Sequence, residues 1–415
     1  MKLLREAGAG DETRRPGPPR VAVFGHDCTE STLIKRIRAF QACGWQVAGF
    51  TFRREKFNCG YVPEWDDTPL GVTVDRHYLL RLVKLALAIP TLMLARRRLA
   101  DADAFYARNI DMAALALLAR WIAGSRAPVA YEVLDVQRIF TGRGALPFLF
   151  RLAERLVLAR GDLLVVSSRA FMGRYFAPVQ GYAAPWFLLE NKLFGLDRGY
   201  GERRPTPEQP RCRPCPPAGP WVIAWLGNLR CPRSPQLLCR IAERLGERVR
   251  IHVHGFPTET GLERFLEMIQ GHPNIVYAGE YRSPQDLQAI YDEAHFAWAF
   301  DYLDQGANSD WLLPNRLYEG CYFGAPALAA RGTEAGRRVQ ELGIGWTLTE
   351  PVDERVIGLL GELDETSYLR VRTHLLGLPP GLFHDEGEMA ELCGRLLSRA
   401  GGAERVGARG LLVER

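Results

Sequence analysis

Between residues 20 and 342 the chain repeats one unit: a short apolar run, a polar turn, then a stretch with helical spacing. Val21-Ala22-Val23-Phe24 opens the series, Gly25-His26-Asp27 makes the turn, and Leu33, Ile34, Ile37 and Phe40 follow at helical intervals. Short apolar runs without alternation suit strands buried on both faces, and strands that alternate with helices are joined by crossovers into a parallel sheet. Further runs at 45–50, 104–107, 129–134 and 163–166 alternate with helical stretches near 78–99, 110–123, 145–159 and 169–176. The pattern predicts a Rossmann-like α/β domain over 20–195.

The series stops at a segment crowded with prolines, 201–220, which excludes helix and interior strand. Residues 196–220 therefore read as a linker. Beyond it the alternation resumes, with strands at 222–226, 249–254, 275–278, 296–300 and 327–329 and helices at 235–245, 260–270, 284–293, 314–323 and 333–342. This predicts a second Rossmann-like domain over 221–375, and 415 residues are enough for two cores. Ser234-Pro235 and Ser283-Pro284 each offer a capping hydroxyl before a proline at the first helical position. Met389, Leu392, Leu396 and Leu397 mark a C-terminal helical segment, 376–398, while 1–19 and 399–415 read as a flexible leader and tail.

A formal net charge of +5 is small for this length and argues against a nucleic-acid binder. Nine cysteines, an odd number at irregular positions, do not form a disulfide framework and suit a reducing, cytoplasmic compartment. The charged, Gly- and Pro-rich first 20 residues have no apolar core of a signal peptide. The longest uncharged apolar stretch, 85–95, contains Pro90 and is too short to span a bilayer. Arg81, Lys84 and Arg96-Arg97-Arg98 flank it, so 81–98 suits peripheral contact with anionic lipid through Leu82, Leu85 and Ile89, unless those residues are core.

Ligands of open α/β sheets bind beyond the carboxyl ends of the strands. The second domain's first strand runs into Gly227-Asn228-Leu229-Arg230-Cys231-Pro232-Arg233-Ser234, where a glycine permits close approach and two arginines precede a helix. Backbone N–H groups, helix dipole and guanidinium forks together suit an anion, although an ordinary loop with solvent-facing arginines has the same sequence. Neither Gly-x-Gly-x-x-Gly nor Gly-x4-Gly-Lys-Ser/Thr occurs, which disfavours a dehydrogenase or a P-loop enzyme. In Asn308-Ser309-Asp310-Trp311-Leu312-Leu313-Pro314-Asn315-Arg316-Leu317-Tyr318-Glu319, a helix opens near Pro314 and places Arg316 and Glu319 on one face. A cation there suits a diphosphate and a carboxylate one turn on suits ribose hydroxyls; the alternative is a surface ion pair worth about 0.3 kcal/mol.

In the first domain Tyr131-Glu132-Val133-Leu134-Asp135 ends a strand with two carboxylates. Side chains alternate along a strand, and Asp135, at the exit, is the better candidate to face the cleft and act as general base on an acceptor hydroxyl. A carboxylate capping the next loop is the alternative. His26 and Asp27, after the first strand, occupy the other position where an acceptor would bind, and Ser167-Ser168-Arg169 either lines the cleft or caps a helix. His252 and His254 share a strand face without a third ligand, and Cys212-x-x-Cys215 has no second pair, so no metal site is assigned.

These segments resemble the retaining GT-B glycosyltransferases of family 4, whose second domain carries a Pro-x-Lys/Arg-x-x-Glu segment ending in Gly-x-Pro. Gly227–Ser234, Asn308–Glu319 and Glu190-Asn191-Lys192 look most like the succinoglycan-type exopolysaccharide glycosyltransferases. The resemblance implies two Rossmann-like domains facing a central cleft, with Arg230, Arg233 and Arg316 on the donor diphosphate, Glu319 on the ribose and Glu280-Tyr281-Arg282 at the nucleobase. It implies transfer of a hexose from a nucleotide-diphosphate sugar, without metal or other cofactor, to a saccharide or polyprenyl-linked saccharide acceptor. One departure stands out: the family pattern has a second glutamate eight positions before Glu319, where this chain has Trp311, with Asp310 adjacent. A nucleotide-sugar 2-epimerase of similar architecture and a non-catalytic nucleotide-sugar-binding protein are the alternatives.

Overall fold

The computed structural model describes residues 17–54, 60–73, 78–195, 204–207, 214–216, 218–258 and 260–400. The expected leader up to residue 16, most of the linker including Cys212, and the tail from 401 lie outside them; Cys215 is buried in the second domain's core.

Two parallel sheets form, as the alternation predicts. The first contains β1 (Arg20–Gly25), β2 (Gln46–Arg53), β3 (Asp66–Val72), β4 (Ala104–Arg108), β5 (Val129–Val133), β6 (Leu163–Val166) and β7 (Trp186–Leu188), in the order β3-β2-β1-β4-β5-β6-β7. The second contains β8 (Trp221–Asn228), β9 (Val249–Phe256), β10 (Ile275–Gly279), β11 (Phe296–Trp298), β12 (Ala327–Ala330) and β13 (Gly345–Leu348), in the order β10-β9-β8-β11-β12-β13. Strand order reverses between β1 and β4 in one sheet and between β8 and β11 in the other, and such switch points open the crevice where ligands bind.

The central strands are buried on both faces: Val21 and Val23 pack on one side of β1, and Ala22 and Phe24 on the other. Phe24 stacks on Phe50 of β2 at 5.1 Å between ring centroids. The helices Ile89–Leu94, Ile110–Ala123 and Ala145–Arg160 cover one face, and Ser31–Ala42 covers the other. The helix expected near 78–99 is three pieces, Tyr78–Leu87, Ile89–Leu94 and Arg96–Ala100, with Pro90 in the first turn of the second, where its missing N–H costs no helical bond.

Both serine caps are corrected. The helix after β8 starts at Arg233, one residue before Ser234, and the hydroxyl of Ser234 is buried, donating to Cys231 Sγ and accepting from Trp298 Nε1 at 3.1 Å. Pro284 follows a cis peptide and its helix begins only at Leu287. Three strands, β3, β7 and β13, have no counterpart in the pattern.

The C-terminal helix, Glu388–Ala400, returns to the first domain, where Met389, Leu392, Cys393 and Leu396 join the core behind β1 and β4. The chain thus passes between the domains twice, and the two passages lie side by side. Leu193 donates its N–H to Phe383 O, and Asp385 donates to Leu193 O, both at 2.9 Å.

Candidate active site

The carboxyl ends of the two sheets meet around one guanidinium. Gly227, next to last in β8, has a φ of +107°, in the region that favours glycine. Across from it, a Cβ on Gly255 would come within 1.8 Å of Gly227 O, so the ends of β8 and β9 need both glycines. The turn carries Arg230 into the cleft just before the helix Arg233–Leu245. Arg230 donates to both oxygens of Asp135, at 3.1 and 3.3 Å, and to Asp301 Oδ2 at 3.3 Å. Asp135 follows β5 of the first domain and Asp301 follows β11 of the second, so the arginine bridges the cleft. Asp135 above all, with Asp301, raises its pKa further, and it stays charged at any working pH.

Asp301 is nearly buried. Burial alone would raise its pKa, but Arg230 and Arg316 outweigh it and keep the carboxyl below its ordinary range. Its Oδ1 accepts from Ser309 Oγ at 2.6 Å and from Leu303 N at 3.0 Å. The loop between Asp301 and Leu312 docks on the first domain: Asn308 donates to Asp135 Oδ1 and accepts from Val136 N, both at 2.7 Å. Ser168 donates its hydroxyl to Trp311 O at 2.6 Å while accepting from Ala170 N as a helix cap, so cleft lining and capping are both realised. Trp311 packs against the first domain's core and Leu312 is part of it. That accounts for the departure from the family pattern, because the position of the first glutamate serves here as an apolar contact between domains. Asp310 lies beside it, accepting from Gly306 N at 3.1 Å, with its pKa raised by burial.

Arg316 and Glu319 stand on the helix Asn315–Tyr322, which starts after Pro314; Asn315 is half-buried in its first turn. The surface ion pair is excluded, since both residues are buried and no ion pair joins them. Arg316 instead donates Nε to Trp298 O at 2.7 Å and Nη2 to Phe300 O, satisfying carbonyls at and just beyond the end of β11. Burial pushes the Glu319 carboxyl up to about 7, against the pull of Lys35 and Arg316. Lys35, on the first domain's helix Ser31–Ala42, reaches the carbonyls of Asn191 and Lys192 at 3.4 and 3.2 Å, and burial brings its ammonium down to about 8. Tyr281 lies near Gly227 and Glu319, its pKa raised well above 10 by burial and then by Glu319.

Other expected residues take different roles. Arg282 points to solvent and pairs with Asp286 one turn on. Arg233 lies over the Tyr302 ring, 4.5 Å from its centroid, and pairs with Glu350 at 2.6 Å. Ser234, sealed behind Trp298, does not reach the cleft. Asn228 Oδ1 accepts from Thr258 at 2.6 Å. Asp27 turns inward, its Oδ1 accepting from Thr29 N, Thr29 Oγ1 and Arg54 N, an Asx turn that uses the carboxylate locally.

His26 does line the first domain's switch point. Burial pushes its pKa down to about 4, so the ring is neutral. The Asn109 amide nitrogen lies 3.0 Å from Nδ1, which makes Nδ1 the acceptor and leaves Nε2–H toward Glu30. Asn109 has φ +70°, and it is the one non-glycine with positive φ among the described residues. Asp301, Asn308, Lys35 and Asn109 were not singled out as site residues in the sequence. Asp301 and Asn109 follow strands, so the strand-end rule reaches them, whereas Lys35 and Asn308 matter only through the opposite domain.

No protein-family model matches the chain. The succinoglycan biosynthesis protein ExoL of Rhizobium meliloti (strain 1021) is 34% identical to it over 362 residues, 87% of this chain and 89% of the relative. The chain belongs to the succinoglycan-type glycosyltransferase family. Among solved structures, sucrose-phosphate synthase from Thermosynechococcus elongatus matches with a TM-score of 0.66 at 13% identity, covering 93% of this chain and all of that one. Anabaena HepE in complex with UDP-glucose matches with a TM-score of 0.62 at 13% identity, covering 91% and 99%. At such identities the likeness is one of fold, and the fold is GT-B.

Proposed function

We propose that the protein moves a hexose from a nucleotide-diphosphate sugar to a saccharide or polyprenyl-linked saccharide in exopolysaccharide assembly, without a resident metal. The observation that carries this reading is Arg230, a fixed cation between two sheet ends and ahead of a helix N-terminus, where a diphosphate would sit. HepE binds UDP-glucose, and the same fold in this chain supports a nucleotide-sugar donor.

In transfer the glycosidic carbon takes on positive character as negative charge grows on the departing diphosphate. Arg230 and the N–H groups at the start of the helix Arg233–Leu245 stabilise that charge, with buried Arg316 adding a second positive charge. A diphosphate that takes over Arg230 frees Asp135 from its ion pair. The released carboxylate is then available to orient the acceptor hydroxyl and accept its proton. Glu319 holds the ribose hydroxyls, Tyr281 flanks the base, and His26 with Asn109 faces the acceptor side.

Incubation of the purified protein with radiolabelled UDP- and GDP-sugars, with and without lipid-linked acceptor, tests the reading. Label should enter the acceptor only when acceptor is present. A new nucleotide sugar formed from donor alone, or binding with no turnover, would overturn it.

The Glu319 carboxyl gives a pH signature. An ionised carboxylate accepts ribose hydroxyls better than a protonated one, and this group ionises near 7. Affinity for UDP or GDP is expected to rise about tenfold from about pH 6 to about pH 8, as the ionised fraction grows. Calorimetric titration measures it, and Glu319→Gln should flatten the dependence.

A further inference from the structure

The first domain leaves uncovered an apolar face that no step of sugar transfer uses. Three helices, Tyr78–Leu87 with its continuation Ile89–Leu94, Ile110–Ala123 and Ala145–Arg160, lie side by side against the same face of the sheet. Among the described residues, 18 large hydrophobic side chains are exposed, and 12 of them stand on these helices. The most exposed are Leu94 at 90%, Trp121 at 78%, Leu87 at 64% and Leu82 at 60%, with Leu149 at 56% and Phe148 at 52% on the neighbouring helix. Scattered exposed leucines are ordinary, but a concentration like this is a contact surface.

Charge identifies what covers it. Residues 78–100, 110–123 and 141–160 contain ten arginines and lysines and two acids, Asp111, which is paired with Arg81, and Glu154. Glu154 does not offset them at the surface, because it is buried and accepts from Tyr131, Tyr175 and Gln180. Several of the cations are engaged inward, as Arg81 is with Asp111 and Arg151 with the carbonyls of Phe140 and Gly142. Lys84, Arg96, Arg97 and Arg143 form no ion pair among the described residues. An apolar floor with a cationic rim, where the exposed acid Asp66 is already paired with Arg98, matches a bilayer bearing anionic headgroups, with lysine and arginine stems along the apolar surface and their charges at the phosphates. A tryptophan at the edge of such a face sits at headgroup level. No helix among the described residues is long and apolar enough to cross a membrane, so the contact is lateral.

We infer that this face docks the enzyme on an anionic lipid bilayer, with the helix Ala145–Arg160 and Trp121 completing the surface begun by residues 81–98. The inference rests on the reading of a lipid-linked acceptor and adds the orientation. Glu154, on the docking helix, and Asp135, in the cleft, line one crevice together with Phe140. Docking therefore brings the acceptor side of the cleft to the level of the membrane surface, where a saccharide on a membrane-held carrier arrives.

The test uses the full chain and vesicles of phosphatidylcholine alone or with roughly one-third phosphatidylglycerol. The parent should co-sediment with the anionic vesicles and not with the neutral ones, and Leu149→Glu/Leu152→Glu should reduce the bound fraction about tenfold. Both leucines are exposed, so circular dichroism and transfer to a water-soluble acceptor should be unchanged in the variant. Equal sedimentation with both vesicle types, or a variant that binds like the parent, overturns the docking surface. So does a parent that is dimeric by light scattering and becomes monomeric in the variant, since a second copy then covers the face. Loss of transfer to every acceptor in the parent would instead refute the transferase reading and leave the vesicle result standing.

Discussion

Replacing Arg230 with alanine is expected to slow sugar transfer about a hundredfold and to leave the fold intact. Removing one preorganised donor to a developing negative charge typically costs about 3 kcal/mol in the transition state. The guanidinium is well placed to act this way, being held by two carboxylates from different domains and immediately before a helix. The loss should appear mainly in kcat, because charge on the diphosphate grows as the bond to the sugar breaks. Stability should change little, since Asp301 keeps its bonds from Ser309 and Leu303 and Asp135 keeps that from Asn308. Arg316→Ala is a useful contrast. It too should lower turnover, but it also strips the donors from the carbonyls of Trp298 and Phe300, so its melting temperature should fall as well. Transfer by Arg230→Ala at the parental rate would show that the clamp lies elsewhere.

Glu132→Ala should cost about 3–5 kcal/mol of stability, the usual penalty for leaving buried charge without its partner. Glu132 is 1% exposed, and two equally enclosed guanidiniums depend on it: Arg36 donates to Oε1 at 2.6 Å and Arg108 approaches Oε2 at 3.0 Å. Alanine would strip Arg36 of its ion pair and leave Arg108 only the carboxylate of Glu30, at 3.5 Å. Urea unfolding would measure the loss, and Glu132→Gln, which keeps the acceptor oxygen, should recover part of it. Burial alone would raise this carboxyl's pKa, yet the two arginines hold it below the ordinary value. Its stabilisation is therefore complete above about pH 4.3, the unfolded value, and fades as pH falls through the lower folded value.

Glu132 and Asp135 show what sequence can resolve. Strand alternation separates the inward carboxylate from the one at the exit, and the structure puts Glu132 under the sheet and Asp135 in the cleft. The alternation also located the central strands, since β1, β6 and most of β8 are continuous apolar runs covered on both faces. It missed β3, β7 and β13 for a common reason. Asp66–Val72 is largely exposed and contains Pro69, Trp186–Leu188 is three residues long, Gly345–Leu348 is only half-buried, and all three are edges with less apolar surface to bury.

The candidate site was legible where chemistry is local. Gly227, Arg230 and Glu319 follow from a strand end and a helix face. Ser234 misled because a serine before a proline reads as a cap, whereas here Trp298 Nε1 and Cys231 take its hydroxyl. Asn308 and Lys35 acquire meaning only from the opposite domain, which no local pattern encodes.

The paired passages at Leu193 and Phe383–Asp385 have a mechanical consequence. A single tether would let one lobe swivel, twist and slide against the other. Two strands of chain clasped together act instead as the spine of a book, suppressing twist and leaving opening and shutting as the easy motion. The guanidinium on one page and the carboxylate on the other then return to the same registration at every closure, turnover after turnover.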